Sequence, residues 1–186
     1  MDKRSHLRLY DGRTRALKGI LSLAKGIGYK AVLNDLWEGH FSLPATDPKN
    51  ALIAAHDLVE ISDGLRGSIL MRVVEQPEDD GGQSGTWVPY SLESANATLM
   101  DDRWEGYAEI GGAAMRTAAC IAWVLAQQSV QRWVLGDCEL DYGYSYVMQG
   151  NNLLALLTSL STCIVAKHRW EFDTSTYPWR VHLRAV

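Results

Sequence analysis

The sequence predicts an α+β fold in a single domain, residues 1–186, with antiparallel hairpins packed against a central helix pair rich in small residues. Helical and strand periodicities alternate along the chain. Short turns join the predicted strands in pairs, which favours antiparallel pairing. An apolar stretch at 109–128, crowded with alanine and glycine, supplies one of the two central helices, and a leucine-rich stretch at 151–166 supplies the other.

Residues 1–30 are predicted to form a basic arm followed by an amphipathic helix. Asp11 is placed to cap a helix that begins near Arg13, and Gly26 and Gly28 are placed to end it. Five apolar residues at helical spacing share one side of this helix: Leu17, Ile20, Leu21, Ala24 and Ile27. A second short helix is expected at 29–37.

The next segment is predicted to be a capped helix followed by two strands. Asp47 and Pro48 form a helix start, with the aspartate as cap, and Gly64 is a suitable stop. GSILMRVVE at 67–75 and TWVPYS at 86–91 favour strands, and a short helix follows at 91–100. The acidic, glycine-rich loop EQPEDDGGQSG at 75–85 separates the strands and is a candidate binding loop.

The apolar stretch 110–126 is interpreted as a helix of a tightly packed core and not as a membrane span. Its 17 residues are at the lower limit for crossing a bilayer, and Arg116 lies near its middle. Small side chains four residues apart are expected to form a ridge that lets a neighbouring element approach closely. They are Ala114, Ala118, Ala122 and Ala126.

The C-terminal third is predicted to contain strands around one helix. VQRWVL at 130–135 is a short strand candidate, and residues 138–148 alternate cleanly between two faces, which predicts another strand. NNLLALLTSLSTCIVA returns to helical spacing, with Asn151 or Asn152 as cap. KHRWEFD and YPWRVHLRAV alternate again, and the turn DTSTYP between them predicts a terminal hairpin.

The charges are segregated along the chain. Residues 1–30 hold eight Lys/Arg against two Asp/Glu, whereas residues 31–166 hold six against eighteen. A basic end on an acidic body indicates either an anionic partner or an internal match between the two regions. Seven tryptophans accompany this pattern, and most are expected in the core, although tryptophan is also common at interfaces.

The function predicted from these observations is a non-enzymatic accessory, inhibitor or adaptor protein that binds a macromolecule through its basic N-terminal region and acidic loops. The partner is a nucleic acid or a protein, and self-association into a homo-oligomer is an alternative. The candidate binding residues are Arg8, Arg13, Arg15, Lys18, Lys25, Arg180, Arg184 and Trp87. A charged, solvated surface without a partner would show the same pattern.

The alternative is a small hydrolase with a dispersed site. Cys138 with His168 or His182 is one version, and a group of carboxylates is the other. Three cysteines without a CxxC pair argue against a disulfide framework and a structural zinc site, and no nucleotide-binding glycine motif is present. No cofactor or metal is therefore expected. The N-terminus lacks the apolar core of a secretory signal, so the expected location is the cytoplasm.

Overall fold

The computed structural model describes residues 6–63, 67–75, 86–112 and 115–186. In this part of the chain most of the regular structure is β, with twelve strands, two α-helices and three short 3-10 helices. The sequence therefore predicts the mixture of helices and hairpins but overstates the helices. The acidic loop beyond Glu75 and the residue Ala114 lie outside the described residues.

The described chain divides into two compact units. Unit 1 is Met1–Val32 with Leu36–Ala95, and unit 2 is Leu33–Asp35 with Asn96–Val186. The assignment of the whole chain to one domain stays a prediction.

Unit 1 is a seven-stranded antiparallel sheet of order β2-β1-β5-β6-β7-β4-β3. Its strands are β1 His6–Tyr10, β2 Leu17–Ile20, β3 Lys25–Lys30, β4 Glu38–Pro44, β5 Leu58–Asp63, β6 Gly67–Val73 and β7 Trp87–Ser94. One face covers a core that includes Leu7, Phe41, Val59, Met71 and Leu92. Alternate residues of β4 and β7 turn away from that core, as the two-residue period of a strand requires.

This sheet is curled, because its two edge strands are joined by only four residues. A flat sheet of seven strands would separate β2 from β3 by six spacings, about 29 Å. The five peptide steps from Ile20 to Lys25 reach at most about 18 Å. Six antiparallel pairings also give β2 and β3 the same direction, so residues 17–30 run as one bent path that borders β1 and then β4.

The predicted helix at 13–28 is wrong, because this bent path takes its place. Leu21 is 1% exposed in the core, and its N–H donates to the carbonyl of Leu7 at 2.8 Å. Leu17 and Ile20, which the helix would have buried beside Leu21, are 57% and 46% exposed. Pairing with β1 and β4 decides the backbone conformation, and the helical spacing of the apolar residues is a coincidence. The short helix at 29–37 is also absent.

The predicted helix from Asp47 to Gly64 is confirmed only at its start. Asp47 accepts a hydrogen bond from the N–H of Lys49 at 3.0 Å and caps a 3-10 helix at Pro48–Leu52. The chain then turns at His56, whose φ is +67°, and enters β5. Such a φ cannot be accommodated in a helix, so the tertiary turn ends the element early.

Unit 2 combines a two-stranded ribbon, a three-stranded sheet and two helices. The ribbon pairs β8 Arg103–Gly111 with β10 Ser145–Asn152, and the sheet has the order β11-β12-β9. Its strands are β9 Trp133–Cys138, β11 His168–Asp173 and β12 Trp179–Ala185, and its helices are α1 Thr117–Leu125 and α2 Leu153–Leu160. The predicted antiparallel hairpin of β11 and β12 is confirmed, whereas β12 and β9 are parallel.

The two predicted central helices are present, but α1 is shorter than expected and buries a different side. Cys120, Ile121, Val124 and Leu125 are at most 2% exposed, whereas Ala122 and Ala126 face solvent. The alanine ridge is therefore not the packing surface in the described residues. Larger apolar side chains gain more free energy from burial and decide which side of the helix turns inward. Helix α2 begins as predicted, with Asn152 accepting from the N–H of Ala155.

None of the helices in the described part of the chain has the length and hydrophobicity that crossing a bilayer demands.

Candidate functional site

Two of the predicted basic binding residues in unit 1 contact carboxylates of the same unit. The guanidinium of Arg8 lies 3.5 Å from a carboxylate oxygen of Glu60, to which Tyr10 also donates at 2.7 Å. Lys18 donates to Asp57 at 2.6 Å. The segregated charges allow two interpretations, an anionic partner or an internal match between the basic end and the acidic body. These contacts agree with the internal match.

Lys25 and Trp87, predicted separately as binding residues, lie together at one edge of the curled sheet. The ammonium of Lys25 lies 4.7 Å from the centroid of the Trp87 ring, which is cation–π geometry. Lys25 is opposite Ser42 on β4, and Trp87 is opposite Pro44 on the same strand. Trp87 is 37% exposed, and the other six tryptophans, all within the described residues, are buried or half-buried.

Arg13 and Arg15 lie in the turn between β1 and β2. Asp11 shapes this turn by accepting from the N–H groups of Arg13 and Thr14 at 3.0 and 2.7 Å. These hydrogen bonds lower the pKa of the Asp11 carboxyl, with the Thr14 N–H as the first cause. Arg15 has a φ of +60°, an uncommon conformation for a side chain of its size.

The two predicted arginines of unit 2 have different surroundings on β12. Arg184 lies 2.9 Å from Asp137, 3.0 Å from Glu139 and 3.5 Å from Glu171, so it joins strands β9 and β11 across β12. Hydrogen bonding to Glu139 raises the pKa of its guanidinium. Arg180 is exposed and pairs in register with Asp173.

The thiol version of the hydrolase finds no support in the geometry of Cys138. This residue is opposite Leu183 on β12, whereas His168 lies on β11 one strand further, about 10 Å away at two strand spacings. His182 is buried and accepts at Nδ1 from the N–H of Asp137 at 2.9 Å. Burial, and then the charge of Asp141, raise the pKa of the Cys138 thiol to about 11, which opposes thiolate formation.

The carboxylate version has no assembled group to support it. In the ranges that the structure describes, no set of three or more His, Cys, Asp and Glu side chains is placed to hold a metal ion.

A surface that the sequence reading missed lies on the ribbon of β8 and β10. One face turns towards the helices and carries the buried Tyr146 and Met148. The other faces solvent, with Tyr107 at 64% and Val147 at 62% exposure. The sequence contains a strand pattern here, since RWEGYAEI at 103–110 alternates polar and apolar residues apart from Gly106. The end of this run overlaps the predicted helix that begins at 110, which conceals the strand.

The comparisons with known proteins rest on structure alone, since no family model matches the chain and no curated protein matches its sequence. The chain is similar to the prophage tail protein gp18 from Listeria monocytogenes, with a TM-score of 0.64 and 12% identity over 98% of this chain and 51% of that one. The fold of this chain therefore resembles that of a phage tail protein.

A second solved structure has a similar fold. It is the E. coli c3393 protein, described as a component of the type VI secretion system with structural similarity to the T4 bacteriophage tail proteins gp27 and gp5. The TM-score is 0.53 and the identity 10%, over 96% of this chain and 44% of that one. The chain thus spans about half the length of the solved structures that it resembles.

The predicted binding residues lie on several elements of the two units. Those of unit 1 lie on β1, on β2, in the turn between them and at the Lys25–Trp87 edge, and those of unit 2 lie on β12. Their role in binding stays a prediction.

Proposed function

We propose that the chain is a structural component of a phage-tail-like assembly and that it works by binding other protein subunits. The observation that carries this proposal is the likeness to the Listeria prophage tail protein, which extends over 98% of the chain. At 12% identity the likeness concerns the fold, and the function is our inference from it.

The chemistry of the described residues favours a protein partner over a nucleic acid. A protein that neutralises phosphates needs lysines and arginines free to release counterions. Arg8, Lys18 and Arg184 instead contact carboxylates of their own unit. Their charge is already balanced, so the basic N-terminal region offers less attraction to phosphates than its composition indicates.

Tail-like particles purified from cells that encode the chain provide the test. An antibody against the chain should label the particles in immunogold electron microscopy, and the chain should sediment with them. Treatment with nuclease should leave this association unchanged, because protein contacts hold it. Cells in which the gene carries an early stop codon provide the control for labelling.

Two results would contradict the proposal. The chain would remain in the slowly sedimenting fraction while intact particles sediment without it, or nuclease would release it from them. Release by nuclease, together with direct binding to nucleic acid that weakens steeply with salt, would restore the nucleic-acid hypothesis.

A further inference from the structure

Trp87 presents an aromatic ring on the outer face of the curled sheet of unit 1. Strands β4 and β7 pair over seven consecutive positions without a register shift, and Trp87 is opposite Pro44. Leu43 and Tyr90, which lie one and three residues from that pair along the two strands, are at most 3% exposed. The two-residue period of the strands therefore directs Trp87 away from the core. Tryptophan is among the residues that contribute most to the binding energy of protein–protein interfaces.

The ammonium of Lys25 lies over this ring, 4.7 Å from its centroid. In the part of the chain that the structure describes, Lys25 forms no salt bridge, whereas Arg8, Lys18 and Arg184 are each paired with a carboxylate. The ring holds the cation in place, so a partner that pairs with Lys25 loses less conformational entropy on binding.

The neighbouring positions on the two paired strands carry no charge. Ser42, Pro44 and Pro89 adjoin the pair of lysine and tryptophan in register. The carboxylates of β4 and β7, Glu38 and Glu93, lie six residues further along each strand, about 20 Å away. A cation that lies beside an aromatic ring and two prolines suits a segment that offers a carboxylate next to an apolar side chain.

We propose that Lys25 and Trp87 form a subunit contact, which receives the carboxylate of an Asp or Glu from another protein of the assembly. The carboxylate pairs with the ammonium of Lys25, and an apolar side chain beside it packs against Trp87 and Pro89. Charge complementarity selects this occupant. A basic segment would be repelled, and a neutral one would leave the ammonium without a counterion where water is excluded. This inference rests on the proposed function, since it names the chemistry of one subunit contact in the assembly.

Zero-length cross-linking in purified tail-like particles tests the contact. A carbodiimide joins an amine to a carboxylate without a spacer, so it links groups that are already in contact. Mass spectrometry of the digested particles should find Lys25 joined to an aspartate or glutamate of a different protein. Lys25→Arg keeps the positive charge but offers no amine, so this variant should stay in the particles and lose the cross-link.

A second measurement tests the contribution of the charge to association. Lys25→Met removes the charge and keeps an apolar side chain, so the ratio of particle-bound to free chain should fall about tenfold, as for one truncated ion pair. The urea midpoint of this variant should stay that of wild type, because Lys25 is exposed. Lys30→Met, at another exposed position of β3, is the matched control and should keep the wild-type ratio.

The contact is wrong if Lys25 forms no cross-link in particles that contain the chain. It is also wrong if the cross-link joins Lys25 to a carboxylate of its own chain or of a second copy, or if Lys25→Met and Lys30→Met associate equally well. In each of these cases the chain is still present in the particles, so the structural role stands. Absence of the wild-type chain from the particles would instead overturn the proposed function, and the contact with it.

Discussion

Lys18 and Asp57 form an ion pair in unit 1, with 2.6 Å between Nζ and Oδ2. Asp57 is only 4% exposed and also accepts from the N–H groups of Gly12 and Ala54. Lys18, which the sequence presents as a candidate binding residue, thus joins β2 to the turn before β5. Charge read from the sequence gives the sign of a side chain but not its partner.

Lys18→Met should lower the free energy of unfolding by about 1–2 kcal/mol, because the buried Asp57 carboxylate loses its cation. The loss stays below that of a fully buried pair, since the Lys18 side chain is 25% exposed. Urea unfolding followed by tryptophan fluorescence measures it. Lys30→Met, the same change at an exposed position of β3, should stay within about 0.5 kcal/mol of wild type. Equal effects of the two changes would contradict a structural role for the pair.

Gly136→Ala should destabilise the chain by about 1–3 kcal/mol, since the interior beside His182 has no room for a methyl group. A Cβ at Gly136 would lie 2.6 Å from Nδ1 and 2.8 Å from Nε2 of the buried imidazole. Moving the ring would also strain the hydrogen bond from Asp137 to Nδ1. Thermal unfolding is the measurement. At Gly19 a Cβ would meet only Leu52, at 3.9 Å, so Gly19→Ala should unfold at the same temperature as wild type. A similar loss of stability in Gly19→Ala would show that the contact with His182 is not the cause.

The sequence predicts best the elements whose conformation is determined by local residues. The sequence predicts helix α2 with Asn151 or Asn152 as its cap, and the structure has Asn152 there. It also predicts β11 and β12 from strict alternation around a turn. The local periodicity around Leu21 predicts a helix, which is wrong. The backbone conformation there is determined by pairing with strands that are distant in sequence. The exposed face of the ribbon was missed for the same reason, since β8 is completed by β10, which lies beyond α1 and β9.

Stability should fall in acid partly through Glu139. Its carboxylate accepts from the N–H of Ala185 and from Arg184, each at 3.0 Å, and these contacts hold its pKa below the ordinary value of 4.5. A carboxyl whose pKa is lower in the folded state than in the unfolded state stabilises the fold at pH values above its unfolded-state pKa. That contribution is lost as the pH falls through the folded value. Between pH 5.5 and pH 3 the urea midpoint of wild type should therefore fall further than that of Glu139→Gln. Parallel declines would show that Glu139 does not contribute to acid sensitivity.

The three thiols should differ in reactivity, and the order separates the protein-binding proposal from a thiol hydrolase. Cys163 is exposed, whereas burial raises the pKa of both Cys120 and Cys138, the latter to about 11. At pH 8 about one Cys138 in a thousand would be a thiolate, which is the reactive form. Ellman's reagent should therefore modify one thiol rapidly, and mass spectrometry of the peptides should identify it as Cys163. Cys138 should react at least tenfold more slowly, and Cys163→Ser should remove the fast phase. Rapid modification of Cys138 would instead mean that a nearby base activates its thiol, and the hydrolase would again be the stronger hypothesis.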